Sequence, residues 1–398
     1  MNPRLDALHP YPFEKLRALL ASAPDHAHGL APISLSIGEP KHAAPECVKQ
    51  ALRDSLDGLS VYPATHGDPR LREAISQWLA RRYDIPAPDS ATQVLPVLGS
   101  REALFAFAQV VLDPVGGGTV VCPNPFYQIY EGATLLAGGT PYYLNADPAR
   151  DFGPDWNRVP EAVWRETRLV YVCSPGNPAG NVMGLEDWRL LFSLSDRHGF
   201  VIASDECYSE IYHDEGNPPL GGLQAARRLG RDDYRRLVVF SSLSKRSNVP
   251  GLRSGFVAGD AALIAPFLRY RTYHGSAMSP VVAQASIAAW SDEAHVRDNR
   301  RQYREKFDAV LPVLGPVLDA RPPQASFYLW VATPGSDTVF ARDLYGRTGV
   351  TVLPGSYLAR EAHGANPGQG RVRLALVAPV AQCLEAAERI AHFARTSI

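Results

Sequence analysis

The chain has 398 residues and a formal net charge of −1, and its 45% hydrophobic and 20% charged residues are ordinary for a globular protein of two or three domains. This balance argues against nucleic acid and membranes as partners, because it provides no basic field, and no apolar run reaches membrane-spanning length. The 5 cysteines include no CxxC pair and the N-terminus lacks the apolar core of a signal peptide, so we expect a cytoplasmic protein without a disulfide framework or a metal site.

The N-terminal part predicts two helices and a short strand. A helix should begin at Pro12, because proline suits the first helical turn, and continue to residue 23. Residues 33–37 are predicted as a strand that ends at Gly38. Residues 69–83 are predicted as a helix with its apolar side chains on one face.

From about residue 93 the sequence alternates between strand-like and helix-like segments. Strands are predicted at residues 93–98, 119–122, 169–173, 200–204 and 237–240, and helices at residues 100–112, from residue 127, and at residues 184–198. This alternation implies right-handed crossovers and a mainly parallel sheet. The strands lack polar alternation, as expected when helices cover both faces of the sheet. The predicted fold class is therefore α/β.

The last third of the sequence has a different pattern. A long helical stretch at residues 279–314 precedes three strands and a closing helix, predicted at residues 326–331, 350–353, 372–377 and 380–394. This pattern is typical of a smaller α+β unit. We therefore predict a large domain of residues 45–290 and a small domain of residues 1–44 and 291–398.

Lys245 is the most informative residue of the chain, because it follows a predicted buried strand and lies among hydroxyls and a second cation. A lysine in this position points into the crevice where open α/β sheets bind ligands. Nearby cations and a partly dry pocket lower the pKa of its amine and make it nucleophilic. Ser242, Ser244 and Arg253 offer donors to a phosphate. These groups are the ones needed to hold pyridoxal 5′-phosphate (PLP) through an imine.

The same segment resembles a family signature. Residues 242–255 read Ser-x-Ser-Lys-x-x-x-x-x-Gly-x-Arg-x-Gly, which is similar to the lysine segment of fold-type I, class I/II aminotransferases. Further motifs follow the family order from Gly38 to Arg373. The resemblance implies a PLP-dependent enzyme with a large, mainly parallel α/β domain, a smaller α+β domain and a homodimeric assembly.

The resemblance places the cofactor phosphate at a strand-to-helix turn. The matching residues are Ser100 and Arg101, joined by Ser242, Ser244 and Arg253. Backbone N–H groups at a helix start can bind an anion. The structural alternative is an ordinary helix cap.

The resemblance places the cofactor ring among four side chains. Asp205 would pair with the pyridine nitrogen, and a carboxylate at the end of a buried strand does require a partner. Tyr208 and Asn177 would bind the ring 3′-oxygen, and Tyr127 would stack on the ring. The structural alternatives are a helix cap, core tyrosines and a turn. The Asn177–Pro178 bond is expected to be cis.

Three more residues have implied roles. Tyr62 would reach the cofactor phosphate of the neighbouring subunit, or else be a surface tyrosine. Arg373 would bind the substrate α-carboxylate, although spacing alone leaves Arg371 or a structural ion pair as alternatives. Gly38 would bring its backbone close to the same carboxylate.

The segments around Lys245 and residues 204–212 look like those of N-succinyldiaminopimelate aminotransferases of bacterial lysine biosynthesis. These use glutamate as the amino donor and 2-oxoglutarate as its keto partner. In this reading Lys245 moves the proton of the substrate α-carbon. Extra cations or hydroxyls should bind the far end of the substrate, with Arg246, Ser356 and Tyr357 as candidates that have structural alternatives.

Several other functions stay open from the sequence. One alternative is another class I aminotransferase, acting on aspartate, aromatic amino acids or acetylornithine. Another is a PLP-dependent cystathionine β-lyase, which releases pyruvate and ammonia without a keto acid acceptor. A regulatory, non-enzymatic role would need a DNA-binding segment, and none is visible. A dehydrogenase is disfavoured because no strand is followed by GxGxxG.

Overall fold

Strands and helices alternate through most of the chain. The computed structural model describes residues 1–23 and 29–397. The helices are α1 (Pro12–Leu20), α2 (Glu46–Asp54), α3 (Pro69–Tyr83), α4 (Ser100–Val111), α5 (Ile129–Leu136), α6 (Glu161–Glu166), α7 (Leu185–His198), α8 (Gly222–Arg228), α9 (Leu243–Arg246), α10 (Ala261–His274), α11 (Pro280–Ser291), α12 (Ala294–Leu318), α13 (Asp337–Thr348) and α14 (Val380–Ser397). The strands are β1 (Ile33–Ser34), β2 (Val94–Val97), β3 (Thr119–Asn124), β4 (Thr140–Asn145), β5 (Thr167–Cys173), β6 (Val201–Asp205), β7 (Leu237–Ser242), β8 (Gly255–Gly259), β9 (Tyr328–Ala332), β10 (Val350–Thr351), β11 (Leu353–Pro354) and β12 (Arg371–Ala375). None of the described helices has the length and apolar character that a membrane-spanning segment requires.

Seven strands form the larger sheet, in the order β2-β8-β7-β6-β5-β3-β4. Strands β3 to β7 pair only in parallel with one another, whereas β8 is antiparallel to both of its neighbours. Strand β5 shows how the sheet is covered: Val170 and Val172 pack into a core on one face, and Leu169 and Tyr171 into a core on the other. The predicted α/β class with a mainly parallel sheet is confirmed.

Six elements of this part were not predicted from the sequence: β4, α6, α8, α9, β8 and α10. Strand β8 begins with Gly255, which looks like part of a turn in the sequence. A Cβ on Gly255 would lie 2.5 Å from the carbonyl oxygen of Ser241, so glycine there permits the close pairing of β8 with β7. Helix α10 contains Pro266, which is a helix-breaking signal in the sequence. Strand β4 is a partly exposed edge strand that follows two glycines.

The rest of the chain forms two small sheets covered by helices. Strands β11, β12 and β9 pair antiparallel in that order, and β1 pairs with β10 in parallel. The single strand predicted at residues 350–353 is therefore two short strands, because the chain passes from one sheet to the other between them. Helices α12, α13 and α14 bury their apolar side chains against these strands, including Leu314, Leu344 and Ile390.

The long helical stretch predicted at residues 279–314 is broken into two helices at residues 292–293. Trp290 of α11 packs into the core that covers the larger sheet, whereas Phe307 and Val310 of α12 pack into the core of the small sheets. The domain division predicted near residue 290 stays a prediction, and we propose that it lies at this break because the two helices serve different cores.

A buried ion-pair network crosses from α3 to α12. Arg82 on α3 pairs with Glu210, and both side chains are almost fully buried. Arg300 on α12 lies 3.5 Å from the same carboxylate and pairs with Glu215 at 2.8 Å. Because the charges compensate one another, the network can lie inside the protein and hold the two helices in a fixed relation.

We expect Arg82→Met to lower the free energy of unfolding by about 3 kcal/mol, because Glu210 stays buried and keeps only its longer contact with Arg300. The matched control is Arg301→Met, which removes two surface ion pairs whose arginine is 54% exposed and should leave the free energy of unfolding nearly unchanged. Urea unfolding of the purified proteins measures both. Equal losses in the two variants would contradict the assignment of Arg82 to a buried network.

Candidate active site

A cavity of about 540 Å³ opens at the carboxyl ends of the parallel strands, beside strands β9 and β12. Its walls contain twelve of the sixteen residues that the sequence analysis proposed for the cofactor and the substrate, all except Tyr62 and the three candidates for the far end of the substrate. Asp205 ends β6 and Ser242 ends β7, so strand termination itself brings these side chains to one edge of the sheet. The cavity is therefore the candidate active site.

Lys245 lies on the short helix α9, whose N-terminus is capped by Ser242. Its amine donates a hydrogen bond to the carbonyl of Gly38 and lies 5.6 Å from the centre of the Phe327 ring. Burial, with a smaller contribution from Arg373, lowers the pKa of the Lys245 amine to about 8. A larger fraction of the amine is therefore neutral and nucleophilic near neutral pH than for an exposed lysine.

Hydroxyls, a helix start and an arginine form an anion cradle on one wall. Ser100 opens α4, and the Cys207 thiol donates to its hydroxyl at 2.9 Å. The Arg253 guanidinium passes directly over Gly99, where any Cβ would collide with it. Ser242 and Ser244 line the same cavity. This donor set fits a phosphate group.

Asp205 is a buried carboxylate without a cationic partner among the residues that the structure describes. Its oxygens accept hydrogen bonds from the Tyr130 hydroxyl at 2.7 Å and the Cys207 backbone N–H at 3.2 Å. Burial raises the pKa of the Asp205 carboxyl, and these hydrogen bonds oppose the rise. A protonated ring nitrogen facing Asp205 from the cavity would supply the missing positive charge, so this wall fits the pyridine ring of PLP.

Arg373 lines the cavity and has no carboxylate partner among the described residues. Its guanidinium donates to the Asn177 side-chain oxygen at 2.9 Å and to the Ser36 carbonyl at 2.8 Å, while its Nε has no partner within the described part of the chain. The side-chain oxygen of Asn177 accepts this hydrogen bond, so its NH₂ group remains available to donate to another acceptor. Arg371 does not line the cavity and stacks instead on Phe152, at 4.6 Å. Arg373 is thus the arginine positioned to meet a ligand.

Tyr127 and Arg101 meet at the cavity wall. The Arg101 Nε donates to the Tyr127 hydroxyl at 2.5 Å, and the Tyr127 ring stands edge-on to Tyr130 with centroids 5.9 Å apart. Burial raises the pKa of the Tyr127 hydroxyl, so it stays a neutral phenol. The Asn177–Pro178 peptide bond is cis, as expected.

Four residues proposed from the sequence lie outside the cavity. Tyr62 is fully exposed. Arg246, Ser356 and Tyr357 do not line it, so the cavity lends no support to their suggested contact with the far end of the substrate. Arg246 is buried against Glu293 and the Ala289 carbonyl, because its charge is compensated there rather than at the site. Ser356 and Tyr357 lie beside Asp337 and Lys15 respectively.

Several residues that the sequence analysis did not propose belong to the site. Tyr130 holds Asp205, Tyr328 hydrogen-bonds Tyr208, and Asn299 of α12 donates to the backbone carbonyl of Lys245 at 3.2 Å. Only Cys207 had a sequence signal, since it stands between two proposed residues. The others come from distant segments whose core-like patterns give no sign of the contact.

One group of potential metal ligands lies outside the cavity, at the break between α11 and α12. The ligand atoms of Cys47, Asp292 and His295 lie within 4.8 Å of one another. His295 already uses both ring nitrogens, one with Asp292 at 2.5 Å and one with the Ser247 hydroxyl at 2.8 Å. The group therefore has a structural explanation.

Comparison with known proteins places the chain in a family. The model of aminotransferase class I and II matches residues 31–390. The chain belongs to this family. These aminotransferases use PLP, so the predicted cofactor is confirmed, and the Lys245 cavity is where the residues fit it.

Three relatives show how similar other class I and II aminotransferases are. An LL-diaminopimelate aminotransferase of Nitratidesulfovibrio vulgaris (strain DP4) is 32% identical, with 98% of this chain and 97% of the relative covered. The crystal structure of an aminotransferase from Neisseria meningitidis Z2491 is 56% identical with a TM-score of 0.96, covering 99% of this chain and 100% of that one. A probable N-succinyldiaminopimelate aminotransferase from Thermus thermophilus is 27% identical with a TM-score of 0.84, covering 96% and 98%.

The lowered pKa of Lys245 predicts a distinctive reactivity in this aminotransferase. In the cofactor-free protein, acetylation of Lys245 by acetic anhydride should rise with pH and level off above about 8, because the amine is protonated below this value and neutral above it. Mass spectrometry of tryptic peptides measures the rate, with the exposed Lys49 as the internal reference. A rate that keeps rising to about pH 10, the range of an ordinary lysine, would contradict the effect of burial.

Proposed function

We propose that this class I aminotransferase transfers the amino group of glutamate to a keto acid with the carbon skeleton of diaminopimelate, in lysine biosynthesis. The sequence resemblance favours N-succinyl-2-amino-6-ketopimelate and N-succinyl-LL-2,6-diaminopimelate as the pair, and the Thermus neighbour carries that name. The observation that carries the chemistry is the Lys245 amine facing a cavity that also contains the unpaired Arg373 and Asp205.

A second candidate substrate is LL-diaminopimelate itself, which the relatives at about 30% identity name. Both candidates carry a carboxylate at the far end from the reacting amine. Arg101, which the sequence resemblance places at the cofactor phosphate, lines the cavity and has no carboxylate partner among the described residues, so it is also a cation available to that far carboxylate. Glutamate as donor and 2-oxoglutarate as its keto partner are part of the proposal.

In this function Arg373 binds the substrate α-carboxylate with its planar fork, while Asn177 and the Ser36 carbonyl fix the orientation of the fork. Lys245 lies beside this position and takes the proton from the substrate α-carbon, because its amine is partly neutral near pH 8. PLP, when bound, supplies the ring that withdraws negative charge from that carbon.

Other residues hold the cofactor and keep water out. Asp205 keeps positive charge at the ring nitrogen, and Ser100, Ser242, Ser244 and Arg253 hold the phosphate. Tyr208 and Asn177 bind the ring oxygen, and Tyr127 lies against the ring face. Apolar side chains restrict the entry of water, since the wall includes Phe13, Ile37 and Leu358.

The decisive experiment uses the visible absorbance of the purified holoenzyme. Glutamate should bleach the band, and 2-oxoglutarate should restore it by reversing that half-reaction. The acceptor of the true pair should restore it fastest among oxaloacetate, aromatic keto acids, the semialdehyde that corresponds to acetylornithine, and the succinylated and free diaminopimelate acceptors. Lys245→Ala should bind the cofactor yet lose at least about 10²–10⁴-fold in turnover, because no other described amine can move the proton. Lys49→Ala, at an exposed site, is the matched control.

Each rival function has its own signature in the same assay. Release of pyruvate and ammonia from cystathionine without a keto acid would indicate a β-lyase. Fastest restoration by oxaloacetate, an aromatic keto acid or the semialdehyde that corresponds to acetylornithine would indicate another aminotransferase. Wild-type turnover in Lys245→Ala would refute the assignment of the lysine.

We also propose a homodimer with shared sites, in the cytoplasm. Tyr62 is fully exposed, and its neighbours Leu56, Leu59 and Val61 form an exposed apolar patch that a second copy could cover. In that arrangement Tyr62 reaches the phosphate in the partner's cavity. The five free cysteines suit a reducing compartment.

Shared sites predict complementation between two inactive variants. When Lys245→Ala and Tyr62→Ala proteins are unfolded and refolded together at limiting cofactor, activity should return to roughly a quarter of the wild-type value, since half of the dimers are mixed and each has one intact site. Tyr273→Ala, which removes another exposed tyrosine, should not need complementation. If mixing restores nothing, Tyr62 does not serve the neighbouring subunit.

A further inference from the structure

Tyr328 lies where three residues of the proposed site meet. Its side chain on β9 is 3% exposed, and its hydroxyl is 3.0 Å from the hydroxyl of Tyr208. Its ring lies under the Arg373 guanidinium, 4.2 Å from the ring centre. Its hydroxyl also packs against Gly38, where a Cβ would collide with it. The proposed function gives Tyr328 no role, although it contacts the residues for both the cofactor and the substrate.

The hydrogen bond between the two tyrosines raises the question of which one donates. Each phenol has one proton, so a Tyr208 that donates to Tyr328 has no proton left for the cofactor. If Tyr328 donates instead, its proton occupies a lone pair of the Tyr208 oxygen and the Tyr208 proton is free to point into the cavity. Only the second arrangement lets Tyr208 donate to the ring oxygen of PLP.

We propose that Tyr328 is a positioning residue whose hydroxyl donates to Tyr208 and thereby directs the Tyr208 proton to the ring oxygen of the cofactor. The inference rests on the proposed function, because the role of Tyr208 comes from it. A phenol that accepts a hydrogen bond also becomes a stronger donor, since linked hydrogen bonds polarise one another. Tyr328 therefore strengthens the contact of Tyr208 as well as aiming it.

The ring of Tyr328 has a second effect, on the substrate end of the cavity. The Arg373 guanidinium lies over this ring, and an aromatic face beneath a guanidinium restricts the orientations of its planar fork. The same side chain thus supports the cofactor contact through its hydroxyl and the carboxylate contact through its ring. Substitutions that remove the hydroxyl alone, or the whole ring, separate the two effects.

A few side chains surround the Tyr208 hydroxyl and the Lys245 amine, the two groups whose protonation the test concerns. Tyr208 faces Tyr328, Arg373 and Cys173, and burial raises the pKa of its hydroxyl, so it stays a neutral donor. The charged and titratable side chains that act on Lys245 are Cys207, Arg373, Glu39 and Arg101. Tyr328→Phe leaves all of these groups in place and removes one hydroxyl.

The test compares variants of the holoenzyme by pH titration of the visible absorbance band, in the absence of substrate. Tyr328→Phe should raise the pH midpoint by about 0.5–1 unit, because a weaker donor to the ionised ring oxygen lets the chromophore keep its proton to higher pH. Tyr208→Phe, which removes the donor itself, should raise it further. Tyr303→Phe is the matched control, since Tyr303 is buried beside Phe327 and its hydroxyl has no partner among the described residues.

The outcomes separate this inference from the proposed function. A raised midpoint in Tyr328→Phe with an unchanged midpoint in Tyr303→Phe supports it. An unchanged midpoint in Tyr328→Phe, or equal shifts in both variants, overturns it while transamination by the wild-type enzyme still stands. An unchanged midpoint in Tyr208→Phe also overturns it, because Tyr208 then does not touch the ring oxygen.

Steady-state kinetics test the effect of the ring. Tyr328→Phe should leave KM for the amino donor within about twofold of wild type, because the ring under Arg373 remains. Tyr328→Leu should raise that KM by about fivefold or more, since the guanidinium loses its support. Equal KM values in the two variants would overturn this part, and the phenylalanine variant keeps the main test intact if the leucine variant does not fold.

Discussion

Burial of the Lys245 amine is the constraint on which the site depends. The amine contacts a backbone carbonyl and an aromatic ring but has no ion-pair partner among the described residues, so the protein stabilises its neutral form at the expense of the ammonium. Three distant segments create this environment: the loop at Gly38, the bend at Phe327 just before β9, and α12 through Asn299. The reactivity of the lysine is thus a property of the tertiary structure.

Two buried charged side chains at the cavity lack counter-charges that a ligand would supply. Asp205 and Arg373 both line the lysine's cavity and are buried, and among the described residues Asp205 has no cationic partner and Arg373 has no carboxylate partner. Such isolated charges are costly inside a protein, and a cofactor with a cationic ring together with a substrate carboxylate offsets both. Tyr328 contacts both Tyr208, which is proposed to bind the cofactor, and Arg373, which is proposed to bind the substrate. Tyr328 can therefore influence both contacts.

The larger sheet and the small sheets contribute different halves of the site. The parallel strands bring Asp205 and the lysine segment to one edge, and β9 and β12 bring Tyr328 and Arg373 across from them. The buried network of Arg82, Glu210 and Arg300 holds α3 and α12 in a fixed relation at some distance from the chemistry. The position of the reacting groups therefore depends on packing that no single element supplies.

The sequence by itself determined the parallel α/β sheet and the cofactor, and it singled out Lys245 as the candidate reactive lysine, because these follow from short-range signals: apolar periodicity, strand ends and the spacing of the segment around Lys245. Spacing alone left Arg371 and Arg373 equivalent, so that only the family resemblance favoured Arg373, and nothing in the sequence assigned a role to Tyr130, Asn299 or Tyr328. Only the tertiary structure decided these points, since each depends on contacts between residues far apart in the chain, as between Asn177 and Arg373. Local patterns record what a residue does within its own helix or strand, whereas the partner that it meets across a cavity is set by how those elements pack.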